Sequence, residues 1–517
     1  MKKEFKILDC TLRDGGYYTN WDFKSDLVEN YFRAMDKLPI DYLEVGYRSR
    51  KLNNYLGQYF YCPEYVLENA RRFTNKKLAV ILNQKDFPLE DVRNILVPVK
   101  DYLDLIRVAV SPDSFGEALK LAIELKNHDF KVAFNVMYMS SWTDKGDFIN
   151  ELSQTSGLVD YFYMVDSFGG VYPEDVKQII KMVKDQTDVP LGFHGHNNLE
   201  LGLINTLTAI DEGVDIVDAT ITGMGRGAGN LKTELLLTAL NARQDLNVDF
   251  NALTSVVDQF EKLQSEHNWG TNLPYMVSGA NSLPQKDVME WVTRRFFSFN
   301  SIIRALQNRK KGEQDNEKLD VFQVKEKYEN VLIVGGGPNA ADHAEAIEQW
   351  IKQNNSIAII HASSKNAKHY ENLVDVPQYF CLVGSEGHRL ENVFKQMTDF
   401  KGECVLPPFP REMGTYIPTA LEGRSKELKE VTFTKVMKDT HTVLALQTAI
   451  DLGAEHVYFV GYDGYMEGNI SQQEKGLSEE NELIFQDFKA YTGNDLVSLT
   501  PTNYKKLNVQ SVYGELV

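Results

Sequence analysis

The sequence of 517 residues lacks the features that mark membrane, secreted and zinc-knuckle proteins. It holds no uninterrupted apolar run of ~18 residues, so we expect no membrane-spanning helix and no membrane partner. Its start, Met1–Phe5, leads straight into an apolar strand pattern, which predicts no signal peptide. The cysteines show no paired spacing, which argues against a disulfide framework or a zinc knuckle and favours a reduced, cytoplasmic protein. They are Cys10, Cys62, Cys381 and Cys404.

The sequence also lacks an excess of positive charge. It has 55 basic against 73 acidic residues and a formal net charge of −18. Because binding to nucleic acid requires a basic face, we expect no nucleic-acid partner. The net charge does not exclude a local pocket that binds one small anion. The remaining composition, 43% apolar and 25% charged, is typical of a globular protein. The length predicts roughly two to four domains.

The first half of the chain repeats short apolar runs and amphipathic helical stretches. The apolar runs are Phe5–Leu8, Tyr42–Gly46, Leu78–Leu82, Leu103–Val110, Val132–Tyr138, Tyr161–Val165, Leu191–His196 and Ile216–Ile221. Helical stretches include Leu27–Lys37, Pro63–Phe73, Phe115–Lys126, Glu174–Lys184 and Leu199–Asp211. Apolar strands separated by helices predict a parallel sheet covered on both faces. Eight units in a row predict a closed (β/α)8 TIM barrel, with an open doubly wound sheet as the alternative.

In such a barrel the chemistry lies at the carboxyl ends of the strands. The first apolar run leads directly into Arg13 and Asp14, followed by Gly15 and Gly16. A simple turn would explain these four residues equally well. Other polar residues occur within or directly after later strands, and these include Glu44, Tyr47, Arg48, Asp166 and Ser167.

Two histidines, His194 and His196, lie two residues apart on the seventh predicted strand. Side chains at i and i+2 point the same way, so both imidazoles face one point at the barrel mouth. Asp14 follows the first strand, which neighbours the eighth in a closed barrel, and it can add an oxygen ligand. Two imidazoles and one carboxylate leave positions open on a six-coordinate divalent ion, which is a catalytic pattern. Packed or hydrogen-bonded histidines are the alternative.

A glycine-rich run follows the eighth strand and ends at Asn230, with glycines at 223, 225, 227 and 229. Glycines allow the backbone to approach a ligand closely. A dinucleotide-binding loop has similar spacing, but the place of this run after the last barrel strand favours a metal or anion pocket.

Three motifs together resemble those of the DRE-TIM metallolyases. They are Thr11-Leu12-Arg13-Asp14-Gly15, His194-Gly195-His196-Asn197-Asn198 and Gly223-Met224-Gly225-Arg226-Gly227-Ala228-Gly229-Asn230. That superfamily includes 4-hydroxy-2-oxovalerate aldolase, hydroxymethylglutaryl-CoA lyase and isopropylmalate synthase. The resemblance covers about residues 4–300 and is greatest to the 4-hydroxy-2-oxovalerate aldolase branch.

This resemblance implies a metal-dependent aldolase or lyase that cleaves or forms a carbon–carbon bond through a metal-bound enolate. Asp14, His194 and His196 would bind Mn²⁺ or Mg²⁺, with Asn230 as a further ligand. The open positions would take the carboxylate and keto oxygens of a 2-oxo acid or hydroxy-oxo acid. The metal would act as a Lewis acid, and Arg13 would donate hydrogen bonds to the developing charge.

One position departs from the family pattern. The aldolases carry a histidine four residues after the arginine, as the base that accepts the substrate hydroxyl proton, and here that position is Tyr17. A phenol, which ordinarily titrates near pH ~10, is a poor base but can donate a hydrogen bond, so Tyr17 stays a catalytic candidate. We therefore expect a substrate other than 4-hydroxy-2-oxovalerate. Tyr47 and Arg48 are candidates to bind an anionic or sugar-like tail, with a solvated loop arginine as the alternative.

The rest of the chain predicts further domains. We expect the barrel at 1–235, a helical extension at 236–306, a charged linker at 307–320 and a Rossmann-like α/β domain at 321–517. Helices after the barrel are predicted at Leu231–Ala242, Phe250–Glu266, Lys286–Thr293 and Ser298–Arg304. Strands of the last domain are predicted at Val331–Val334, Ile357–Ile360, Tyr379–Val383 and Val457–Val460, with a helix at Ala340–Lys352.

A glycine turn, Gly335-Gly336-Gly337-Pro338-Asn339, offers backbone N–H groups to an anion between a strand and a helix of that domain. Pro338 removes one donor and the GxGxxG spacing is absent, which disfavours NAD. The turn and the segment 461–465 resemble parts of motility-accessory-factor and sialyltransferase-like Rossmann domains. That resemblance implies a nucleotide or nucleotide-sugar ligand, and a purely structural domain is the alternative. The residues implied are Gly336, Gly337, Asn339 and Asp463, with His441 and Thr442 as further candidates.

Three hypotheses follow. The first is a 2-oxo acid aldolase fused to a nucleotide-binding domain, with work on surface polysaccharide or an unusual sugar acid. The second is a Claisen-type synthase that joins a 2-oxo acid and an acyl-CoA, for which the sequence shows no clear basic groove. The third is a glycosyltransferase-like nucleotide-sugar-binding protein whose barrel is a scaffold. The complete set of Arg13, Asp14, His194 and His196 favours the first. We also expect a homo-oligomer.

Overall fold

The structure is a computed structural model that describes residues 5–53, 55–144, 146–244, 246–293, 299–312, 317–395, 397, 400–411, 415–435, 439–465 and 472–517. The chain divides into two compact units, Met1–Met289 and Glu290–Val517. The finer limits, with an extension at 236–306 and a linker at 307–320, stay predictions. Ser298 and residues 313–316, which belong to them, lie outside the described residues. Within the described ranges, no helix is both long and apolar enough to cross a membrane.

The first unit contains a closed barrel of eight parallel strands in sequential order, which confirms the predicted TIM barrel. The strands are β1 (Lys6–Asp9), β2 (Tyr42–Tyr47), β3 (Lys77–Asn83), β4 (Leu105–Val110), β5 (Val132–Val136), β6 (Tyr161–Asp166), β7 (Leu191–Gly195) and β8 (Ile216–Ala219). Strand β1 closes the barrel against β8, with Leu8 aligned to Asp218. Each predicted apolar run therefore overlaps one barrel strand.

Helices surround and follow this barrel. They are α1 (Thr11–Thr19), α2 (Ser25–Lys37), α3 (Gln58–Tyr61), α4 (Glu64–Phe73), α5 (Phe115–Asn127), α6 (Gly146–Glu151), α7 (Pro173–Lys184), α8 (Gly202–Asp211), α9 (Thr233–Gln244), α10 (Phe250–His267), α11 (Leu273–Ala280), α12 (Gln285–Thr293) and α13 (Phe299–Lys311). The apolar face of α2, for example, buries Val28, Phe32 and Met35 in the core between helices and barrel.

The interior of the barrel has an apolar lower layer and a polar upper layer. Because side chains alternate along a strand, Ile106 and Val108 of β4 pack outward against the helices, while Leu105 faces inward. The inward layer at that level includes Leu8, Ala79, Ala133 and Ile216. Arg107 lies two residues beyond Leu105, so it also faces the interior, nearer the carboxyl ends of the strands. This layering puts charged groups directly beneath the barrel mouth.

The second unit is an α/β domain around one parallel sheet. Its strands are β9 (Asn330–Val334), β10 (Ile357–His361), β11 (Gln378–Cys381), β12 (Glu403–Leu406), β13 (Ser425–Glu427), β14 (His456–Val460), β15 (Leu496–Ser498) and β16 (Asn508–Val509). Helix α13 falls within the limits of this unit. The helices that follow it are α14 (Asn339–Asp342), α15 (Ala344–Gln353), α16 (Glu386–Phe394), α17 (His441–Asp451) and α18 (Gln472–Thr492).

The sheet order is β13-β12-β11-β10-β9-β14-β15-β16, so the strand order reverses at β9. Alternate residues of β9 enter two separate cores, with Val331 and Ile333 in one and Leu332 and Val334 in the other. A parallel sheet buried on both faces is the doubly wound arrangement expected of a Rossmann-like domain.

The structure differs from the sequence predictions at several places. Residues Thr11–Thr19 form helix α1, so the turn that was one interpretation of Arg13 to Gly16 is not formed. The predicted helix Ala340–Lys352 is two helices, α14 and α15, that meet at His343. Helix α11 was not predicted, although Asn272 caps it and Pro274 lies in its first turn. Strands β12, β13, β15 and β16 were also missed, because runs of two to four residues carry little periodic signal.

Candidate metal centre

Arg13 and Asp14 lie in the first turns of α1, directly after β1. A Cβ atom on Gly16 would come 2.1 Å from the Trp21 ring, so the glycine is needed for this close approach. The Trp21 indole donates a hydrogen bond of 2.7 Å to the Arg13 carbonyl. The two glycines after Asp14 therefore serve tight packing of a helix, and that packing fixes both charged residues at the barrel mouth.

The two histidines are oriented by their Nδ1 atoms. His194 Nδ1 lies 2.8 Å from Oδ2 of Asp218, and His196 Nδ1 donates to the Asp166 carbonyl at 2.7 Å. A carbonyl can only accept, so the proton of His196 lies on Nδ1. Both Nε2 atoms then carry lone pairs that are free to bind a metal. This is the outer-shell arrangement that orients metal-binding histidines.

Asp14 and Asn230 complete the donor set. One ligand atom each from Asp14, His194 and His196 lie within 4.8 Å of one another, and Asp14 Oδ2 is 3.7 Å from His194 Nε2. Asn230 reaches the same point because it forms a β-bridge with His196, and its Nδ2 donates to Asp14 Oδ2 at 2.6 Å. Asn230 Oδ1 is buried and has no hydrogen-bond partner among the described residues.

These donors fit a divalent cation. Two imidazoles and a carboxylate converge at the base of the mouth, and the Asn230 amide, whose oxygen has no partner among the described residues, lies against that carboxylate. Mixed nitrogen and oxygen donors with room for further ligands suit Mn²⁺ or Mg²⁺ better than a closed structural zinc site. The sequence prediction that these four residues act together is thus consistent with the geometry.

The protonation states also suit metal binding. Burial lowers the pKa of His194 well below its ordinary value, and burial likewise lowers the pKa of His196. Burial alone would raise the pKa of Asp14, but the Arg13 guanidinium beside it holds that pKa below the usual range. Neutral imidazoles and an ionised carboxylate are the forms that bind a cation.

A closed set of buried ion pairs supports the centre from below. Arg13 Nε binds Glu44 Oε2 at 2.6 Å, and its Nη1 pairs with Asp14. Arg107 Nη1 lies 3.1 Å from Glu44 Oε1, and its Nη2 pairs with Asp218, which in turn binds His194. The charges therefore alternate in sign along a chain that runs from Asp14 through Arg13, Glu44 and Arg107 to Asp218, and neutral His194 lies between its two ends. Because each buried charge has an opposite partner, the chain of ion pairs offsets the cost of burying these charges and holds each member in place.

A cavity of about 450 Å³ opens above these residues. Its base includes Arg13, Asp14, His194 and His196. Its walls include Tyr17, Tyr47, Lys85, Asn135, Tyr138, Phe168, Arg226, Gln285 and Lys286. The hydroxyl groups of Tyr17 and Tyr47 lie 3.2 Å apart. This volume falls within the ~300–1,000 Å³ typical of ligand sites.

Comparison with known proteins agrees with this geometry. The family model described as HMGL-like matches residues 109–259. A 4-hydroxy-2-oxovalerate aldolase of Carboxydothermus hydrogenoformans is 30% identical over 268 residues, which cover 50% of this chain and 77% of that protein. The chain belongs to the HMGL-like family. Its members are metal-dependent carbon–carbon lyases, so the predicted DRE-TIM resemblance and the predicted enzyme class are confirmed.

Two further similar proteins extend this result. An oxaloacetate decarboxylase of Mycobacterium tuberculosis is 28% identical over 313 residues, which cover 58% of this chain and 89% of that protein. The solved N-terminal domain of a Bacteroides vulgatus protein is 55% identical, with a TM-score of 0.56, and covers 58% of this chain and 100% of that domain. These matches concern little more than half of the chain.

The sequence did not indicate two residues that position His194. It also suggested Arg48 as a substrate-binding residue, whose guanidinium binds backbone carbonyls in the structure. Arg107 and Asp218 orient His194, and a charged residue inside an apolar strand was the signal that could have found Arg107. Arg48 instead donates to the carbonyls of Ile95, Tyr61 and Cys62 at 2.7–3.0 Å, so its guanidinium joins the end of α3 to the segment around Ile95.

The predicted residues of the second unit also lie together, at the carboxyl ends of β9 and β14. The Asn339 backbone N–H donates to Asp463 Oδ2 at 3.1 Å, and Gly337 N–H donates to the Gly461 carbonyl. Asp463 Oδ1 is buried without a partner among the described residues. A Cβ atom on Gly336 would meet only an ordinary contact, 3.4 Å from the Ser363 hydroxyl. His441 lies farther along the crevice, 3.6 Å from Glu386.

Proposed function

We propose that the barrel is a divalent-metal-dependent lyase that cleaves, or in reverse forms, the carbon–carbon bond next to a 2-oxo acid. The observation that carries this proposal is the convergence of the Asp14 carboxylate with the His194 and His196 imidazoles, beside Arg13 and beneath a cavity. A scaffold would gain nothing from a buried carboxylate and two oriented imidazoles at one point.

Asp14, His194, His196 and Asn230 would hold the ion, which we expect to be Mn²⁺ or Mg²⁺. When bound, it would supply Lewis-acid stabilisation for the negative charge on the 2-oxo oxygen. Asp218 and the Asp166 carbonyl keep the two imidazoles in the tautomer and orientation that this role requires.

Arg13 would stabilise the developing enolate. Its Nε and Nη1 are fixed by Glu44 and Asp14. Among the described residues no carboxylate pairs with Nη2, so its N–H groups can donate to a substrate. A guanidinium held on two sides loses little entropy when it donates to a new oxygen, and it stays charged throughout. The bond that breaks leaves its electron pair on C3 of the 2-oxo acid, and Arg13 is the permanent cation next to that charge.

Tyr17 would bind the oxygen of the departing carbonyl half. Its hydroxyl lies against Tyr47 on the cavity wall, so it can donate a hydrogen bond to a substrate hydroxyl or aldehyde oxygen. The Carboxydothermus hydrogenoformans relative is named a 4-hydroxy-2-oxovalerate aldolase, and the tyrosine in place of the family's histidine is our reason to expect a different substrate here.

Release of pyruvate tests this proposal. The full chain, loaded with Mn²⁺ or Mg²⁺, would be given oxaloacetate and a set of 4-hydroxy-2-oxo acids, and pyruvate would be followed with lactate dehydrogenase and NADH. We expect metal-dependent release from at least one substrate, abolished by chelation and lost in Asp14→Asn. A Lys51→Gln variant, which changes an exposed residue outside the cavity, is the control. Release that is equal in chelated and metal-loaded enzyme would refute the proposal.

For the second unit we propose a nucleotide or nucleotide-sugar site at the crevice between β9 and β14, which fits a role in surface polysaccharide or sugar-acid metabolism. Ligands of doubly wound sheets bind where the strand order reverses, and Gly336, Gly337, Asn339 and Asp463 lie at that point. The unpartnered Asp463 Oδ1 offers an acceptor for a ribose or sugar hydroxyl. CMP, CTP and UDP should raise the melting temperature of the full chain, and less so in Asp463→Asn. A flat response to all three would favour a structural domain.

A further inference from the structure

Three cations line the cavity above the candidate metal centre, in a protein whose net charge is −18. They are Lys85, Arg226 and Lys286. Within the described residues, none of the three forms an ion pair. The carboxylates deeper in the barrel cannot serve them, because Asp14, Glu44 and Asp218 are paired with Arg13 and Arg107. Asp287 also lines the cavity, and among the described residues no ion pair joins it to any of these three cations. Unpaired cations in an otherwise acidic protein point to an anionic ligand.

Arg226 is the best placed of the three. It is half-buried, and its guanidinium lies over the Tyr17 ring at 5.3 Å from the centroid. Arg226 is also close enough to His196 to lower the pKa of that imidazole, although burial is the larger cause. It therefore lines the cavity next to Tyr17 and near the candidate metal centre.

The loop that carries Arg226 is fixed on both sides of the residue. The Gly229 N–H donates to the Arg226 carbonyl at 3.2 Å, and the Tyr18 hydroxyl donates to the Gly227 carbonyl at 3.0 Å. The loop is also joined to the histidine strand, since Asn197 N–H donates to the Gly229 carbonyl at 2.9 Å. A fixed backbone and a ring beneath the guanidinium hold the charge at one place before substrate arrives, which lowers the entropy cost of binding.

We propose that Arg226, assisted by Lys85, binds a second anionic group on the substrate, a carboxylate or a phosphate ester at the end remote from the 2-oxo acid. This rests on the proposed lyase function and names its substrate class. The C3–C4 bond breaks, its electron pair stays on C3, and the C4 hydroxyl gives up its proton as the aldehyde forms. C3 then takes up a proton to give the 2-oxo acid. The aldehyde half carries the negative charge that Arg226 recognises.

Paired aldehydes in the condensation direction test this assignment. The metal-loaded full chain would combine pyruvate with glyceraldehyde or glyceraldehyde 3-phosphate, and with butanal or succinic semialdehyde. The first pair differs by a phosphate and the second by a carboxylate, so the two arms separate the two anions. For one pair we expect kcat/KM to be at least about tenfold higher for the charged member, since a charged hydrogen bond contributes about 1.5–3 kcal/mol.

Variants then assign the preference to a residue. Arg226→Gln should reduce the charged-to-neutral ratio of kcat/KM to near one, Arg226→Lys should retain part of it, and Lys85→Gln should reduce it less. Lys51→Gln should leave the ratio unchanged. A ratio near one in the wild type, or a full preference in Arg226→Gln, would overturn the inference. Exchange of pyruvate protons with solvent requires no aldehyde, so its absence in the wild type would instead refute the lyase function, and this inference with it.

Discussion

Nδ1 of His194 lies 2.8 Å from Oδ2 of Asp218, and the same carboxylate pairs with Arg107. Asp218 therefore connects the candidate metal centre to the buried ion pairs beneath it. Asp218→Asn should weaken the affinity for Mn²⁺ by about 10–100-fold, the usual effect of losing an outer-shell partner of a metal-binding histidine. Titration followed by electron paramagnetic resonance measures this affinity. The change also leaves Arg107 with Glu44 as its one remaining carboxylate partner. Asp218→Asn combined with Arg107→Gln is therefore the charge-balanced control. An unchanged affinity in both variants would refute the role of Asp218.

Arg13 binds Glu44 through Nε and Asp14 through Nη1, a geometry that one ammonium group cannot reproduce. Arg13→Lys should therefore lower kcat by about 10²-fold, the typical cost of one donor to a developing oxyanion, with a smaller change in KM. Steady-state kinetics with the best substrate measures both constants. Arg33→Lys, which alters an exposed pair with Glu29, is the matched control and should leave both unchanged. A larger effect on KM than on kcat would show that Arg13 acts in binding alone.

Gly225 lies against the amide of Asn230. A Cβ atom there would come 2.4 Å from Asn230 Nδ2, which donates to Asp14. Gly225→Ala should displace Asn230 and weaken metal binding several-fold, because the orphaned amide oxygen moves with it. Gly116→Ala in helix α5 meets no atom within 4 Å and is the control, with unchanged metal affinity. Calorimetric titration with Mn²⁺ compares the two, and equal affinities would exclude Asn230 from the donor set.

His361 gives the second unit a dependence on pH. Burial lowers the pKa of His361 to about 4, and its Nε2 lies 2.8 Å from Gln378 Oε1. In the unfolded chain a histidine titrates near ~6.5, so the unfolded state takes up the proton first as the pH falls. The contribution of neutral His361 to the free energy of unfolding is therefore fully present above pH ~6.5. It is lost as the pH falls towards 4, by about 3 kcal/mol in total.

His361→Gln removes this titration. The difference in the free energy of unfolding between wild type and variant should shrink as the pH falls through that window, as measured by urea unfolding of the full chain. His369→Gln changes an exposed histidine nearby and should show no such trend. A constant difference at all pH values would contradict the assignment.

The sequence predicted the barrel because each strand is a continuous apolar run. Such a run can be recognised in the sequence without knowledge of tertiary contacts. It also predicted that Asp14, His194 and His196 lie together at the barrel mouth, because the two histidines share a face and the motifs follow strands. That they bind a metal stays a prediction. Helix α1 was not predictable, since Gly15 and Gly16 resemble a turn and are required only by the approach of Met224 and Trp21. Such close approaches exist only in the folded chain.

The buried ion pairs show a second limit. Arg107 and Glu44 lie in strands β4 and β2, far apart in sequence, and their pairing depends on barrel closure and register. A charge within an apolar strand predicts that a partner exists but does not identify it. In the second unit, the short strands β12, β13, β15 and β16 are held by their neighbours in the sheet, so local pattern alone could not find them.

The central claim is that Asp14, His194 and His196, with Arg13, form a centre that generates the enolate of a 2-oxo acid. Exchange of the pyruvate methyl protons in D₂O, followed by proton NMR, measures this step without any choice of aldehyde. We predict loss of the methyl signal with Mn²⁺ or Mg²⁺, and retention after chelation and in Asp14→Asn. Retention of the methyl signal by the wild-type protein, with each of several divalent metals, would contradict the account.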